Sequence, residues 1–216
     1  MRRPLSPTIW IAPLVGLGLF VASLFYPSID PKKISVTGLN HVSQTELLAE
    51  MNLQKPNPWL WYGILQNAAR HLDNPWIQRT RITKIFPNRL RIEITERTPR
   101  ARLKTPEGEA VIDENGVVLP NAKPTGPLIS GWGKDRTEEA LEAIQALETL
   151  KLKIDKVTYS PSGLRISTTQ GSLWCESLDS LYKYASIVTQ LKDNRPNLRT
   201  SERKINVYPW GVSVTQ

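Results

Sequence analysis

The sequence predicts an α+β protein with a single N-terminal transmembrane helix, a β-α-α-β-β domain and a mostly antiparallel β domain with two flanking helices. Three observations support this. No charged residue lies between Pro4 and Ile29. Apolar residues of 32–98 change their spacing from two to three or four and back to two, and short strand-like runs separated by turn residues fill 99–216. The predicted boundaries are 1–8 for a cytoplasmic tail, 9–27 for the membrane helix, and 32–98 and 99–216 for the two domains.

The membrane segment is indicated by its length and its flanks. Residues 9–26 are an apolar run that, as a helix, would be about 27 Å long, close to the ~30 Å thickness of a hydrocarbon core. Trp10 and Tyr26 fall at its two ends, where amphipathic rings favour the membrane interface. Arg2 and Arg3 precede it, which predicts an N-terminus inside the cell and an exported remainder.

A cleaved signal peptide is the alternative interpretation of this segment. Its apolar core would be shorter and would end in small residues at a cleavage site. Bulky residues and a proline, Leu24-Phe25-Tyr26-Pro27, stand there instead. We therefore expect an uncleaved anchor.

The first domain begins with a strand and two helices. Ile34 and Val36 alternate as in a short strand. Ser43, with Glu46 three residues later, indicates a helix start, because the serine oxygen can accept from the amide of the glutamate. Apolar residues at three- and four-residue spacing predict a second helix over 60–72.

Two strands are predicted to complete this domain, at 76–86 and 90–96, around a turn that contains Pro87. The second of them alternates regularly. Its inward residues are expected to be Leu90, Ile92 and Ile94.

Three aromatic residues lie at the start of the second predicted helix of the first domain: Trp59, Trp61 and Tyr62. Such side chains commonly cover the groove between helices and a sheet. Alternatively, they would contact lipid headgroups or the membrane helix of a partner. The sequence leaves both interpretations open.

The second domain is predicted from turns and two amphipathic helices. A turn at Asp113–Gly116 joins a hairpin over 110–119. One helix is predicted to start at Asp135, with Glu138 in a capping pattern, and another to run from Asp179 to Lys192. Strand-like runs occur at 154–159, 164–168, 173–176, 205–208 and 212–214.

The composition indicates recognition rather than catalysis. The net charge is +8, but basic and acidic residues are interleaved, whereas a nucleic-acid surface needs a concentrated basic stripe. The one cysteine, Cys175, stands in an apolar run and is expected in the core. His41 and His71 are the only histidines, too few and too far apart for a metal site. We expect no catalytic, cofactor-binding or metal-binding residue.

Three segments together carry a resemblance to a known family: VTGLNHVSQTEL, then NPWI, then IFPNRLRIEITERTPRA. In this order and spacing they resemble the polypeptide-transport-associated (POTRA) domain of the bacterial cell-division family FtsQ/DivIB. The hairpin at 110–119, the proline-rich link at 120–133 and its Leu-x-x-Gly are similar to the β domain of the same family.

The resemblance implies a non-catalytic, single-pass type II scaffold of the divisome in the cytoplasmic (inner) membrane at the septum. Its implied partners are coiled-coil proteins of the FtsB and FtsL type, which connect to septal peptidoglycan synthases of the FtsW and FtsI type during septation. Binding would add a partner segment to an exposed edge strand. The matching positions in this chain are Ile205, Val207, Tyr208, Trp210, Val212 and Val214, with Tyr182 and Tyr184 on the flanking helix.

This C-terminal stretch departs from the family pattern. The family usually has an aspartate, a basic residue and an aromatic before the last glycine, whereas INVYPWG has Asn206, no basic residue and one residue fewer. A role for Trp210 as an anchor therefore competes with that of an aromatic that covers a turn.

Two other functions remain as alternatives. The first is a POTRA-bearing secretion or outer-membrane assembly factor, which would normally have several such domains or a membrane β-barrel. The second is an exported, membrane-anchored cell-wall enzyme, which would need convergent carboxylates or a nucleophile with its base.

Overall fold

The computed structural model describes residues 13, 15–21, 28–58, 72–169, 171–188 and 204–215. The chain divides into two compact units, 1–97 and 98–216. Residues 15–21 are helical and exposed. Among the helices so described, we find none that is long and apolar enough to cross a membrane.

Several predicted features lie outside the described residues. They are the membrane-anchor residues Arg2, Arg3, Trp10 and Tyr26, the aromatic residues Trp59, Trp61 and Tyr62, and nearly all of the second helix of the first domain. The same holds for the last residues of the predicted helix 179–192.

The first unit begins with a strand that fixes the entering chain. β1 (Ser28–Ile29) pairs antiparallel with β3 (Asn57–Pro58), and Ile29 is fully buried. A short 3₁₀ turn (Pro31–Lys33) then leads into β2 (Ile34–Thr37). Helix α1 (Gln44–Glu50) follows, and the Ser43 hydroxyl accepts from the amide of Glu46 as the capping pattern predicts.

A three-stranded sheet forms the body of this unit, in the order β2, β5 (Arg89–Glu96), β4 (Ile77–Ile85). β2 runs parallel to β5, and β4 runs antiparallel to it through a turn with a cis peptide bond at Phe86-Pro87. The predicted alternation of β5 is confirmed, since Leu90, Ile92 and Ile94 are buried.

The loop after β2 is held by one carboxylate at the end of β5. Glu96 accepts hydrogen bonds from the amides of Asn40, His41 and Val42 at 2.8–3.1 Å, and His41 Nδ1 lies 3.0 Å from its Oε2. Burial alone would raise the pKa of Glu96, but these hydrogen bonds outweigh it and hold the pKa below its ordinary value. The His41 ring also stacks on Trp76 at 4.0 Å between centroids.

The second unit is built on one eight-stranded sheet. Its strands are β6 (Ala101–Thr105), β7 (Gly108–Ile112), β8 (Leu128–Gly131), β9 (Ile154–Ser160), β10 (Gly163–Thr168), β11 (Gly171–Cys175), β12 (Lys204–Tyr208) and β13 (Gly211–Thr215). Their spatial order is β13-β12-β11-β10-β9-β8-β6-β7. The predicted antiparallel meander β9–β11 is present. Three pairings elsewhere in the sheet, β6–β8, β8–β9 and β11–β12, are parallel.

Helices α2 (Thr137–Thr149) and α3 (Leu178–Lys183) cover the core face of this sheet. α2 packs against β9, and α3 contacts β11 and β12. Along the chain, α2 lies between β8 and β9, and α3 lies between β11 and β12. Each helix therefore belongs to the crossover connection that a parallel pair of strands requires.

The two helices of the second unit differ from their predicted boundaries. The Asp135 carboxylate accepts from the amide and hydroxyl of Thr137 instead of forming a capping pattern with Glu138, so α2 begins at Thr137. The hydroxyl of Thr137 is the main reason why the pKa of Asp135 is lowered. The predicted helix 179–192 begins at Leu178 after a Ser177 cap and breaks at Tyr184 before helical geometry resumes at 185–188.

The segment after β7 folds back along that strand. Asp113 is almost completely buried, and its Oδ1 accepts from the amides of Asn115 and Val117 at 2.9 and 2.8 Å. Gly116 supplies the positive φ of this turn, and Asn115 does not. Val118 then bridges to Ile112, and the amide of Leu119 donates to the carbonyl of Val111 at 2.8 Å. We call residues 113–119 the strap.

Candidate partner-binding site

The residues predicted as one edge segment form a hairpin of two strands, β12 and β13. β12 is paired on both sides, parallel to β11 and antiparallel to β13, so Ile205, Val207 and Tyr208 do not lie on the edge. That part of the edge assignment was wrong, because the parallel pairing with β11 was not foreseen. β13, which carries Val212 and Val214, is the outermost strand of the part of the sheet that is described.

The side chains of the hairpin divide between the core and the surface. Val207 is fully buried in the core, and Ile205 and Val212 pack against that core while half-buried. Val214 is 42% exposed and Trp210 is 78% exposed. The exposed apolar surface of the hairpin therefore lies on the outer strand and on the turn.

The backbone of β13 has a defined outward set of polar groups. The turn contains only Pro209 and Trp210, since Tyr208 pairs with Gly211. A two-residue turn closes with a hydrogen-bonded pair, and hydrogen-bonded and open pairs alternate from there along an antiparallel ladder. The N–H and C=O groups of Val212 and Val214 therefore point away from β12, towards the edge, where a partner strand can pair with them.

Three aromatic rings form a stack beside this edge. Tyr208 lies 4.9 Å from Trp210 between ring centroids, nearly parallel to it, and 5.2 Å from Trp174 at a tilt of 54°. Trp174 and Tyr208 lie on the face of the sheet opposite the core, because their neighbours Cys175 and Val207 point into the core. We call Trp174, Tyr208 and Trp210 the aromatic stack.

The turn of the hairpin is attached to the end of α3. Lys183 Nζ donates to the carbonyl of Pro209 at 3.1 Å, and the Tyr184 hydroxyl lies 3.5 Å from the same oxygen. The Lys183 ammonium also lies 5.1 Å from the centre of the Tyr184 ring. Tyr182, the other predicted residue of this helix, is 55% exposed and contributes surface rather than support.

Sequence reasoning missed two residues of this arrangement. Trp174 could have been found from strand alternation, since Leu173 and Cys175 on either side are apolar core residues. Lys183 had no such signal, because its role depends on the break at Tyr184 that brings the helix end to the turn.

Other groups with chemical potential give no reactive arrangement in the described parts of the chain. Burial raises the pKa of the Cys175 thiol to about 11, so the thiolate is disfavoured and the residue behaves as a core side chain. The described residues contain no group of three or more His, Cys, Asp or Glu side chains that could hold a metal ion.

Two domain families match the chain. Residues 30–97 match the FtsQ-type POTRA domain, and residues 101–199 match the C-terminal domain of cell division protein FtsQ/DivIB. The second match ends before β12, so the hairpin lies outside it.

Individual proteins with curated names show the same similarity. The chain is 26% identical to the cell division protein DivIB of Bacillus subtilis over 83% of this chain and 74% of the relative. It is 32% identical to the cell division protein FtsQ of Myxococcus fulvus over 56% of this chain, and 28% identical to that of Mycobacterium bovis over 67%. The chain spans less than half of these two FtsQ proteins, 43% and 48%.

Proposed function

We propose that this chain, which belongs to the FtsQ/DivIB family of bacterial cell-division proteins, is a non-catalytic scaffold anchored in the inner membrane at the division septum. Its exported β domain would bind coiled-coil partners of the FtsB and FtsL type. Through them it would connect to septal peptidoglycan synthases of the FtsW and FtsI type. The anchor would be the apolar segment 9–27, with the N-terminus inside the cell.

One observation supports the binding mode more than any other. β13 presents the outward N–H and C=O groups of Val212 and Val214 at the end of an eight-stranded sheet. The exposed side chain of Trp210 lies in the turn that precedes β13. A partner segment added as a ninth strand would satisfy these groups. The alternating side chains of that segment would reach Val214 on one face of the sheet and the aromatic stack on the other.

The test separates backbone pairing from side-chain contact. Val214→Pro removes one outward N–H without removing a bond to β12, since proline is tolerated on edge strands. Val214→Thr, the matched control, keeps that N–H and has nearly the same shape. Full-length chain carrying an N-terminal tag would be isolated from membranes of the source bacterium, and the co-purified FtsB- and FtsL-type proteins would be quantified.

We expect Val214→Pro to abolish co-purification and Val214→Thr to retain it. Equal recovery with both variants would contradict strand addition. A third variant, Tyr208→Ala with Trp210→Ala, tests the aromatic contribution, which we expect to be partial because the backbone pairing remains. If the unsubstituted chain recovers secretion or assembly factors and no division protein, the scaffold proposal is wrong.

A further inference from the structure

The entering chain and the β4–β5 turn lie at the same end of the first unit. Ile34, the first residue of β2, is paired with Leu90 of β5, and Leu90 is paired in turn with Lys84 of β4. The start of β2 is therefore beside the turn that joins β4 to β5. Only Asp30 and the 3₁₀ turn separate β2 from Ile29, so Ile29 is within about 17 Å of Ile34 even if this segment were fully extended.

That end of the unit would also be the end nearest to the proposed membrane helix. Ile29 is buried and tied to Asn57 by β1–β3 pairing, directly after the predicted end of the membrane segment at 27. Because one extended residue spans only about 3.5 Å, the unit has almost no tether. The β4–β5 turn is thereby kept near the surface of the bilayer.

The groups exposed at this end match the chemistry of an anionic bilayer surface. Phe86 at the turn is 71% exposed. Arg89 and Arg91 are both exposed and share the face of β5 that points away from the core, and Lys33 is exposed on the entering turn. Guanidinium groups match phosphate oxygens well, and an aromatic ring beside them suits the headgroup region.

The acidic residues nearest in sequence to these cations are Asp30 and Glu93. Asp30 is half-buried and its carboxylate accepts from the amide of Lys32. Glu93, the acidic residue of β5 on the same face, lies opposite Arg81, farther from the turn. The positive charge of Arg89 and Arg91 at this end of β5 is therefore suited to an anionic bilayer surface, whose attraction extends over about 10 Å.

We propose that the β4–β5 turn docks on the membrane that anchors the chain, with Phe86 in the headgroup region and Arg89 and Arg91 bound to anionic phospholipid headgroups. This inference rests on the proposed membrane anchor. Docking fixes how the first unit stands on the bilayer, and it makes that orientation depend on the lipid composition.

The experiment uses the full chain in nanodiscs and a fluorophore that reports on lipid contact. Asn88→Cys places an NBD label in the turn, and Thr95→Cys places the same label on the same face of the sheet at its far end. The native Cys175 is fully buried and stays unlabelled. Quenching by spin-labelled lipid is measured in nanodiscs of phosphatidylcholine alone and of phosphatidylcholine mixed with phosphatidylglycerol.

We expect quenching at position 88 to exceed that at position 95 by about twofold or more in the phosphatidylglycerol mixture, and to fall in neutral lipid. Arg89→Ser with Arg91→Ser should abolish the difference. Arg79→Ser with Arg81→Ser removes the same charge from the same face, but farther from the turn. This control should retain the difference in quenching between positions 88 and 95. Phe86→Ser should weaken the quenching without affecting the fold, because the side chain is exposed.

The outcomes separate this inference from the proposed function. If the chain does not enter nanodiscs, the proposed anchor is wrong. If it enters but the two labels are quenched equally, the docking inference is overturned and the anchor stands. Quenching at position 88 that is the same in neutral and anionic lipid would also overturn it, because the arginines would then have no role.

Discussion

The two edges of the eight-stranded sheet differ in how they are protected. At β7, the strap bridges to Ile112 and bonds to the carbonyl of Val111, and it is itself fixed by the buried carboxylate of Asp113. At β13, the described residues include no such strap, and the outward groups of Val212 and Val214 face the end of the sheet.

This difference separates an edge whose last two residues are paired within the chain from one that is suited to a partner. Unpaired edges invite association with other chains, and natural sheets cover them unless pairing is useful. Apolar exposure alone does not distinguish the two, because Val118 in the strap is 49% exposed and Val214 on β13 is 42% exposed. The two edges are distinguished by their backbone pairing.

The largest effect is expected when the strap is released. Asp113→Ala leaves the amides of Asn115 and Val117 without their acceptor, which should lower the free energy of unfolding by about 2–3 kcal/mol. Urea denaturation would measure it. Asp113→Asn keeps an acceptor oxygen and should cost clearly less. Equal losses from the two variants would show that the carboxylate's hydrogen bonds to the turn are not what holds the strap.

A smaller effect is expected within the aromatic stack. Tyr208 contacts both tryptophans, so Tyr208→Ala should lower the free energy of unfolding by about 1–2 kcal/mol. Trp210→Ala should change it by less than about 0.5 kcal/mol, because the ring is mostly exposed. Both would be measured by thermal and urea denaturation. A larger loss for Trp210 would make it a structural cover for the turn rather than a surface for a partner.

The attachment of the turn to α3 is expected to contribute less. Lys183→Met removes the hydrogen bond to the Pro209 carbonyl, which should cost about 0.5–1 kcal/mol, while Lys183→Arg can restore a donor. The informative measurement is amide hydrogen exchange of β13. Faster exchange in the methionine variant alone would show that α3 holds the outer edge in place; unchanged exchange would contradict it.

The smallest effect on stability, and the most direct comparison of the edges, comes from adding one charge to each. Val118→Lys and Val214→Lys should each change the free energy of unfolding by less than about 0.5 kcal/mol, since both sites are exposed. Recovery of the proposed division partners from membranes should fall for Val214→Lys and stay unchanged for Val118→Lys. Equal loss from both would mean that the two edges do not differ in binding.

The sequence was sufficient for features that depend on local patterns. The alternation of β5, the Ser43 cap and the turn at Gly116 follow from neighbours along the chain, and the structure confirms each of them. The edge was partly misassigned because the pairing of β12 with β11 joins residues that no local pattern relates. The role of Lys183 was missed for the same reason.

Site residues were therefore predictable as candidates but not as an arrangement. Tyr208 and Trp210 could be selected because exposed aromatics are frequent in interfaces. Trp174 contacts Tyr208 because β11 and β12 pair in a particular parallel register. Only the folded sheet determines that register.

The parallel pairing of β11 with β12 also has a kinetic consequence. It joins Leu173 to Ile205, about 30 positions apart, whereas β9, β10 and β11 are joined by short turns. Closing the longer loop costs more chain entropy, so the hairpin should join the sheet after the folding transition state. Weakening the pairing of β11 with β12 would then speed unfolding and leave the folding rate nearly unchanged. The lifetime of the outer hairpin can therefore be tuned apart from the formation of the domain.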